Sequence, residues 1–222
     1  MHVTVNAATS VDGKLSTRDR RQVAISGPED FDRVDRLRAA ADAVLVGVGT
    51  VLADDPSLTL DEADRRVERL RNGRPGDPAR VVLDTRARTP TDARVLNDDA
   101  ATHLLVVEDA PDSRVAALTD AGSDVEVHRV PADDGQVDVV AGLDALESAG
   151  VDRLLVEGGG EVIFSLFAAG VVDELSVYVG STLIGGRDAP TLADGEGFLD
   201  PQGLTLAGVE RLDDGVVLSY EP

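Results

Sequence analysis

Three short stretches carry residues whose types and spacing suit chemistry. In Leu155-Val156-Glu157-Gly158-Gly159-Gly160-Glu161 an apolar run meets three glycines and then a helical pattern. Glycines let the backbone approach a ligand without Cβ clashes. A helix start behind them offers unpaired N–H groups and a positive dipole end to a pyrophosphate. The pattern is neither G-x-G-x-x-G nor a Walker loop, so taken alone it reads equally as a tight turn. In the second stretch, Val46–Pro56, another apolar run exits into Gly47 and Gly49. Thr50 can donate to a phosphate or ribose oxygen, and Asp54 can accept from ribose hydroxyls or a carboxamide. The plainer reading there is strand, turn and helix with Asp54 and Asp55 merely solvated. The third stretch, Asn6–Lys14, holds the single lysine among 21 basic residues. A lysine kept where arginine fills every other basic position points to a compact point charge, with Asp12 beside it as a carboxylate. The alternative is a turn at Asp12-Gly13 with Lys14 exposed.

The elements that must position these stretches follow from periodicity. Val3–Ala8 alternates as a strand. Ser26 with Glu29 three residues on reads as a capped helix start, with Phe31, Val34, Leu37 and Arg38 on neighbouring turns. Ala43–Val48 is a buried strand, and Asp61–Pro78 is a polar surface excursion. Arg80–Leu83, His103–Val107, Val125–Val127, Arg153–Val156 and Glu174–Gly180 read as strands. Helices are expected near Ser113–Ala121, Val137–Ala149 and Glu161–Ala169. Leu204–Leu212 and Val216–Tyr220, split by Asp213-Asp214-Gly215, read as a hairpin. Strands alternating with helices and closing in a hairpin predict an α/β fold, mostly parallel, with antiparallel edge strands. Ligands on such sheets sit beyond the carboxyl ends of the strands, where the glycine stretches lie.

Composition narrows the function classes. With 222 residues and 42% hydrophobic content, one sizeable core is expected. No apolar run approaches the roughly 20 residues of a membrane span. Met1–Val5 lacks a basic region followed by an apolar stretch, so a signal peptide is not expected and the reading is cytoplasmic. The absence of cysteine excludes disulfides and thiolate metal sites. His2, His103 and His128 fall in no H-x-E or H-x-x-x-H pattern, so no metal site is expected. A net charge of −21 opposes nucleic acid and anionic membranes as partners. Acid spread along the whole chain suggests adaptation to high salt, a halophilic profile; genomic base composition is the other reading.

Taken jointly, the motifs resemble one family. Thr9–Lys14, Arg38-Ala39, Gly47–Thr59, Val81–Thr85, Leu155–Gly160, Val172–Tyr178 and Asp194–Phe198 follow in order from end to end. This series is similar to the archaeal reductases of riboflavin biosynthesis that act on 2,5-diamino-6-ribosylamino-4(3H)-pyrimidinone 5′-phosphate. No single motif is specific; the ordered set is. The resemblance implies a dihydrofolate-reductase-like α/β fold, with a mostly parallel sheet flanked by helices and a C-terminal antiparallel hairpin. It implies one reductase domain over residues 1–222, a homodimer, and reduction of a ribotide's ribose to the ribityl form.

The same resemblance implies roles. Thr50, Asp54, Thr85, Gly158, Gly159, Gly160, Glu161, Val162 and Ile163 would hold a nicotinamide dinucleotide. Asn6, Arg38, Leu58 and Glu157 would line the substrate pocket. Arg86 and Arg88 follow a strand and offer cations to a 2′-phosphate, so NADPH is expected, with NADH as the alternative. The proton donor stays open among Asp12, Lys14 and solvent, and Glu157 can orient ribose hydroxyls. Bacterial relatives add a zinc deaminase half, whose H-x-E and P-C-x-x-C ligands are missing here. Two departures stand out. Relatives often carry a basic residue where this chain has Asp61, with Arg65 or Arg66 as substitutes, and Arg18–Val23 fits the family poorly. The alternatives are a reductase of the deaminated pyrimidinedione, another dihydrofolate-reductase-like enzyme, and a non-catalytic nucleotide sensor.

Overall fold

The computed structural model describes residues 1–21 and 23–222, so Gln22 of the poorly fitting stretch lies outside the described residues. In chain order the first elements are β1 (His2–Ser10), α1 (Pro28–Ala40), β2 (Ala43–Gly47), α2 (Val48–Asp54), α3 (Ala63–Arg71), β3 (Ala79–Leu83), β4 (Thr102–Val107) and α4 (Asp112–Thr119). Then come β5 (Val125–Val130), β6 (Ala132–Asp133), β7 (Gln136–Val137), α5 (Val139–Ser148), β8 (Arg153–Gly158), α6 (Gly160–Ala168), β9 (Glu174–Gly180), β10 (Thr205–Leu212) and β11 (Gly215–Glu221). They group into two compact units, one of Met1 with Asp35–Leu155 and one of His2–Val34 with Val156–Pro222.

In the first unit β2, β3, β4 and β5 pair in sequence order, all parallel. Every residue of β2 is buried, which is why it reads as a continuous apolar run and not an alternating one. Each fully buried valine or leucine of this kind contributes roughly 1.5–3 kcal/mol. Arg80 is the exception inside β3. It is fully buried, and its guanidinium donates to the carbonyls of Arg94, Asn97 and Ala100 and to Asn97 Oδ1. It thereby fixes the loop that leads into β4. The stretch 61–78, expected as a polar surface excursion, is mostly exposed and contains α3. Its apolar content is low, and arginines fasten it: Arg69 is buried and donates to the carbonyls of Pro75, Ala39 and Ala41. Hydrophobic periodicity does not register a helix held in this way. Asp138 caps α5 through the N–H groups of Val140 and Ala141. A small hairpin, β6–β7, turns at Asp134 and Gly135, both left-handed, an Asp-Gly signal that the sequence reading passed over.

In the second unit β1 pairs parallel with β9, β9 antiparallel with β11, and β11 antiparallel with β10. The expected terminal hairpin is present and turns at Asp213-Asp214. The start of α1 is capped differently from expectation. Asp213 accepts from the N–H groups of Glu29 and Asp30 at 3.2 and 3.0 Å, and Glu29 accepts from the Asp213 N–H at 2.9 Å. A reciprocal cap therefore reaches α1 from the far hairpin, not from Ser26. Phe31, expected on a turn neighbouring those of Val34, Leu37 and Arg38, is 58% exposed, while Asp30 is buried. Among the described residues no helix is long and apolar enough to cross a membrane.

Candidate functional site

In the first unit the glycine stretch after β2 opens α2. Thr50 is half-buried within that helix, and Asp54 ends it at the surface. Although the Asp54 residue is exposed, partial desolvation of its carboxyl pushes the pKa up. Asp55 takes the left-handed conformation that ends the helix and accepts from the Arg94 N–H at 2.8 Å, so it is a loop fastener and not merely solvated.

The next segment is held by buried acids. Leu58 is left-handed at φ +56° and 2% exposed, so its side chain belongs to the core. Arg38 Nη1 donates to the Thr59 carbonyl at 3.0 Å, which sets two expected substrate-side positions, Arg38 and the Leu58 loop, side by side. Asp35 accepts from the N–H groups of Asp61 and Glu62 and from Arg65 Nη1. Arg66 pairs through Nε with both oxygens of Asp77. Arg65 and Arg66, the substitutes considered for the basic residue missing at Asp61, are thus each engaged with an acid of their own unit.

After β3 comes the loop expected to meet a 2′-phosphate. Its keystone is Asp84, fully buried, which accepts from the N–H groups of Arg88 and Thr89 and from the Thr89 hydroxyl at 2.7–2.8 Å. Such bonds compensate the cost of burying a carboxylate. Thr85 donates its hydroxyl to Gln136 Oε1 at 2.8 Å. Arg86 pairs with Asp109 at 3.1 Å in the open, whereas Arg88 is exposed with no side-chain partner recorded among the described residues.

In the second unit the last residues of β8, from Val156, run into the triple glycine. Gly158 has φ +124° and open space around the position a Cβ would take, so only glycine keeps this turn open. Gly160 has a different reason. A Cβ there would overlap the Thr191 carbonyl and Asp194, whose N–H bonds the Gly160 carbonyl at 3.1 Å. The late Asp194–Phe198 motif is therefore packed on α6, where Phe198 stacks on Phe164 at 4.8 Å between ring centroids. The Ile163 N–H bonds the Gly159 carbonyl, and the N–H groups one turn earlier lie at the helix start, without an intrahelical partner. Glu161 is exposed, while the Val162 and Ile163 side chains are buried, so those two can serve a ligand only through backbone. Glu157 is half-buried at the end of β8.

The stretch from Asn6 to Lys14 also resolves. Asn6 is buried, and its Oδ1 accepts from Arg33 Nη2 at 2.8 Å. Arg33 in turn bonds Asp30 at 2.9 Å and Ser176 Oγ at 3.0 Å. Sequence reading missed Arg33; the Asp30–Arg33 spacing of three along a helix was the available signal. Asp12 accepts from the Ser10 hydroxyl and from the N–H groups of Ile184 and Gly185. The Ser10 hydroxyl, helped by those N–H groups, holds the Asp12 pKa down at about 2. Lys14 is half-buried and donates through Nζ to the Ala189 carbonyl at 3.1 Å, with a backbone bridge to Thr191. Its charge tethers the loop after β9 to the loop after β1.

With these features in view, comparison with known proteins is informative. Residues 1–218 match the family model described as the RibD C-terminal domain. The chain is 44% identical over 218 residues to the 2,5-diamino-6-ribosylamino-4(3H)-pyrimidinone 5′-phosphate reductase of Archaeoglobus fulgidus, covering 98% of this chain and 96% of that one. It is 45% identical over 223 residues to the protein of the same name from Methanothermobacter thermautotrophicus, covering 99% and 97%. Among solved structures, a pyrimidine reductase-like protein from Corynebacterium diphtheriae matches with a TM-score of 0.82 at 20% identity, covering 99% of this chain and 91% of that one. The α/β fold expected from the sequence, dihydrofolate-reductase-like with a terminal antiparallel hairpin, is the fold observed.

Proposed function

Because the chain belongs to the RibD C-terminal domain family, and is an oxidoreductase of riboflavin biosynthesis, we propose that it performs the step its relatives are named for. That step reduces the ribose of 2,5-diamino-6-ribosylamino-4(3H)-pyrimidinone 5′-phosphate to the ribityl form. The observation that carries the proposal is the full-length match to two reductases of that name at 44% and 45% identity.

The residues present fit a nicotinamide dinucleotide. Gly158 leaves room for close backbone approach, and the start of α6 supplies N–H donors to a pyrophosphate. Arg88, exposed and without a side-chain partner among the described residues, suits a 2′-phosphate, which favours NADPH over NADH. When bound, the cofactor supplies the hydride that the opened ribosylamine accepts at C1′. The chain's own contribution is to hold both reactants in near-attack geometry. Asn6, Arg38, the Leu58 loop and Glu157 are assigned to the substrate, and Thr50, Asp54 and Thr85 to the dinucleotide. Asp12, ionised far below neutrality, is an anchor and not a proton donor, and Lys14 tethers the same loops.

The proposal extends to one reductase domain over residues 1–222, working in the cytoplasm as a homodimer. Support for association comes from β10, whose Leu206 and Val209 are 54% and 63% exposed. The test is cofactor oxidation with each candidate substrate in molar potassium chloride. Turnover of the diamino ribotide with NADPH is expected. Turnover of dihydrofolate but not of the ribotide would favour another enzyme of the fold, and binding without turnover would favour a sensor.

A further inference from the structure

His2, His103 and His128 fall in no H-x-E or H-x-x-x-H pattern, but strand pairing brings His103 and His128 together. β4 and β5 run parallel with His103 opposite Glu126 and Leu105 opposite His128. Residues two apart on a strand share a face, so Glu126 and His128 point the same way, beside His103. The result is a compact donor set. His103 Nδ1 lies 3.0 Å from His128 Nε2, Glu126 Oε2 lies 3.6 Å from the first nitrogen, and it lies 3.9 Å from the second. A tetrahedral ion with ligands at about 2.0–2.1 Å requires ligand atoms about 3.3–3.4 Å apart. The three separations bracket that value, so small side-chain rotations suffice.

We infer that His103, His128 and Glu126 form a binding site for a borderline-soft divalent transition ion of the zinc type. The donors are two imidazoles and one carboxylate, a set that suits zinc, nickel or copper better than magnesium or calcium. Both imidazoles are mostly shielded, at 13% side-chain exposure, whereas Glu126 is 64% exposed. An ion can therefore enter from the Glu126 side, with a fourth position left to water. An overall charge of −21 adds long-range attraction for cations. His103 lies four residues before Val107, whose N–H bonds the Thr85 carbonyl at the expected cofactor loop. At about 3.3 Å per residue the site is therefore on the order of 13 Å from that loop. Its effect is to brace β4 to β5, not to join the reaction.

The experiment uses the full chain, stripped with chelator, in molar potassium chloride so that weak carboxylate binding is screened. Cobalt(II) is titrated with visible absorption as the readout, and zinc by calorimetry. One equivalent is expected, with the intense visible bands of a low-coordinate cobalt site and a rise in thermal midpoint. His128→Gln should abolish the bands, and Glu126→Gln should weaken binding about tenfold or more. Glu126 is 64% exposed, so that variant keeps the test valid even if His128→Gln fails to fold. Reductase activity with saturating substrates should be the same with and without metal. No stoichiometric binding, or equal binding by wild type and His128→Gln, would overturn the inference and leave an imidazole–imidazole hydrogen bond.

Discussion

Arg33 on α1 and Asn6 on β1 meet through a single hydrogen bond of 2.8 Å, from the guanidinium Nη2 to the amide Oδ1. That bond fixes which way the buried amide faces and leaves its oxygen one further lone pair. An acceptor there suits the amino group that distinguishes the diamino ribotide from its deaminated counterpart. Asn6→Lys should weaken or invert the preference for the diamino substrate by roughly tenfold to a hundredfold. It also sets a cation against Arg33, so a stability loss of about 1–3 kcal/mol should accompany it. Arg33→Ala should lower the same ratio without touching Asn6. Catalytic efficiency on both ribotides checks this, and unchanged ratios in both variants would remove the pair from specificity.

Asp12 gives a pH prediction. Its folded pKa, about 2, lies below the unfolded carboxylate value of about 3.9. A depressed carboxylate stabilises the fold above its unfolded pKa and loses that contribution as pH falls through its folded one. The stability gap between wild type and Asp12→Asn should therefore be constant above about pH 4 and shrink toward about pH 2. Urea unfolding across that window measures it. A gap that grows on acidification would contradict the anchoring role.

Cofactor choice separates two neighbouring arginines. Arg86 is paired with Asp109 in an exposed bridge, of a kind worth about 0–1 kcal/mol, and Arg88 has no side-chain partner recorded among the described residues. Arg88→Ala should raise KM for NADPH about tenfold and leave NADH unaffected, while Arg86→Ala should do less. Equal efficiency of wild type with both cofactors would refute the assignment.

Salt should act on the whole molecule. With 42 acidic against 21 basic residues, self-repulsion opposes folding in dilute buffer. At about 1 M salt the screening length falls to about 3 Å. Thermal midpoint and activity should therefore rise together from low to molar potassium chloride. A protein equally stable at both extremes would show that the acidic surface serves another end.

The parts legible in the sequence were those with local signals. The buried run of β2, the Asp213-Asp214 hairpin and the glycine turn before α6 are written in contiguous residues. What escaped is long-range and polar. The cap on α1 comes from Asp213, the hold on α3 comes from Arg69 and Asp35, and the orientation of Asn6 comes from Arg33. Each joins residues that no periodicity relates, because a hydrogen bond needs proximity in space only. Gly160 shows the same limit. Its glycine is required by the later Thr191–Asp194 segment as much as by any ligand.

The central claim is hydride transfer to C1′ of the ribosylamino ribotide, and isotope labelling tests it most directly. The chain is given NADPH deuterated at both C4 positions of its reduced ring, with the diamino ribotide, in molar potassium chloride. The account predicts a ribityl product carrying one deuterium at C1′, located by mass spectrometry and NMR. A ribityl product without deuterium, or label on the pyrimidine ring, would contradict it.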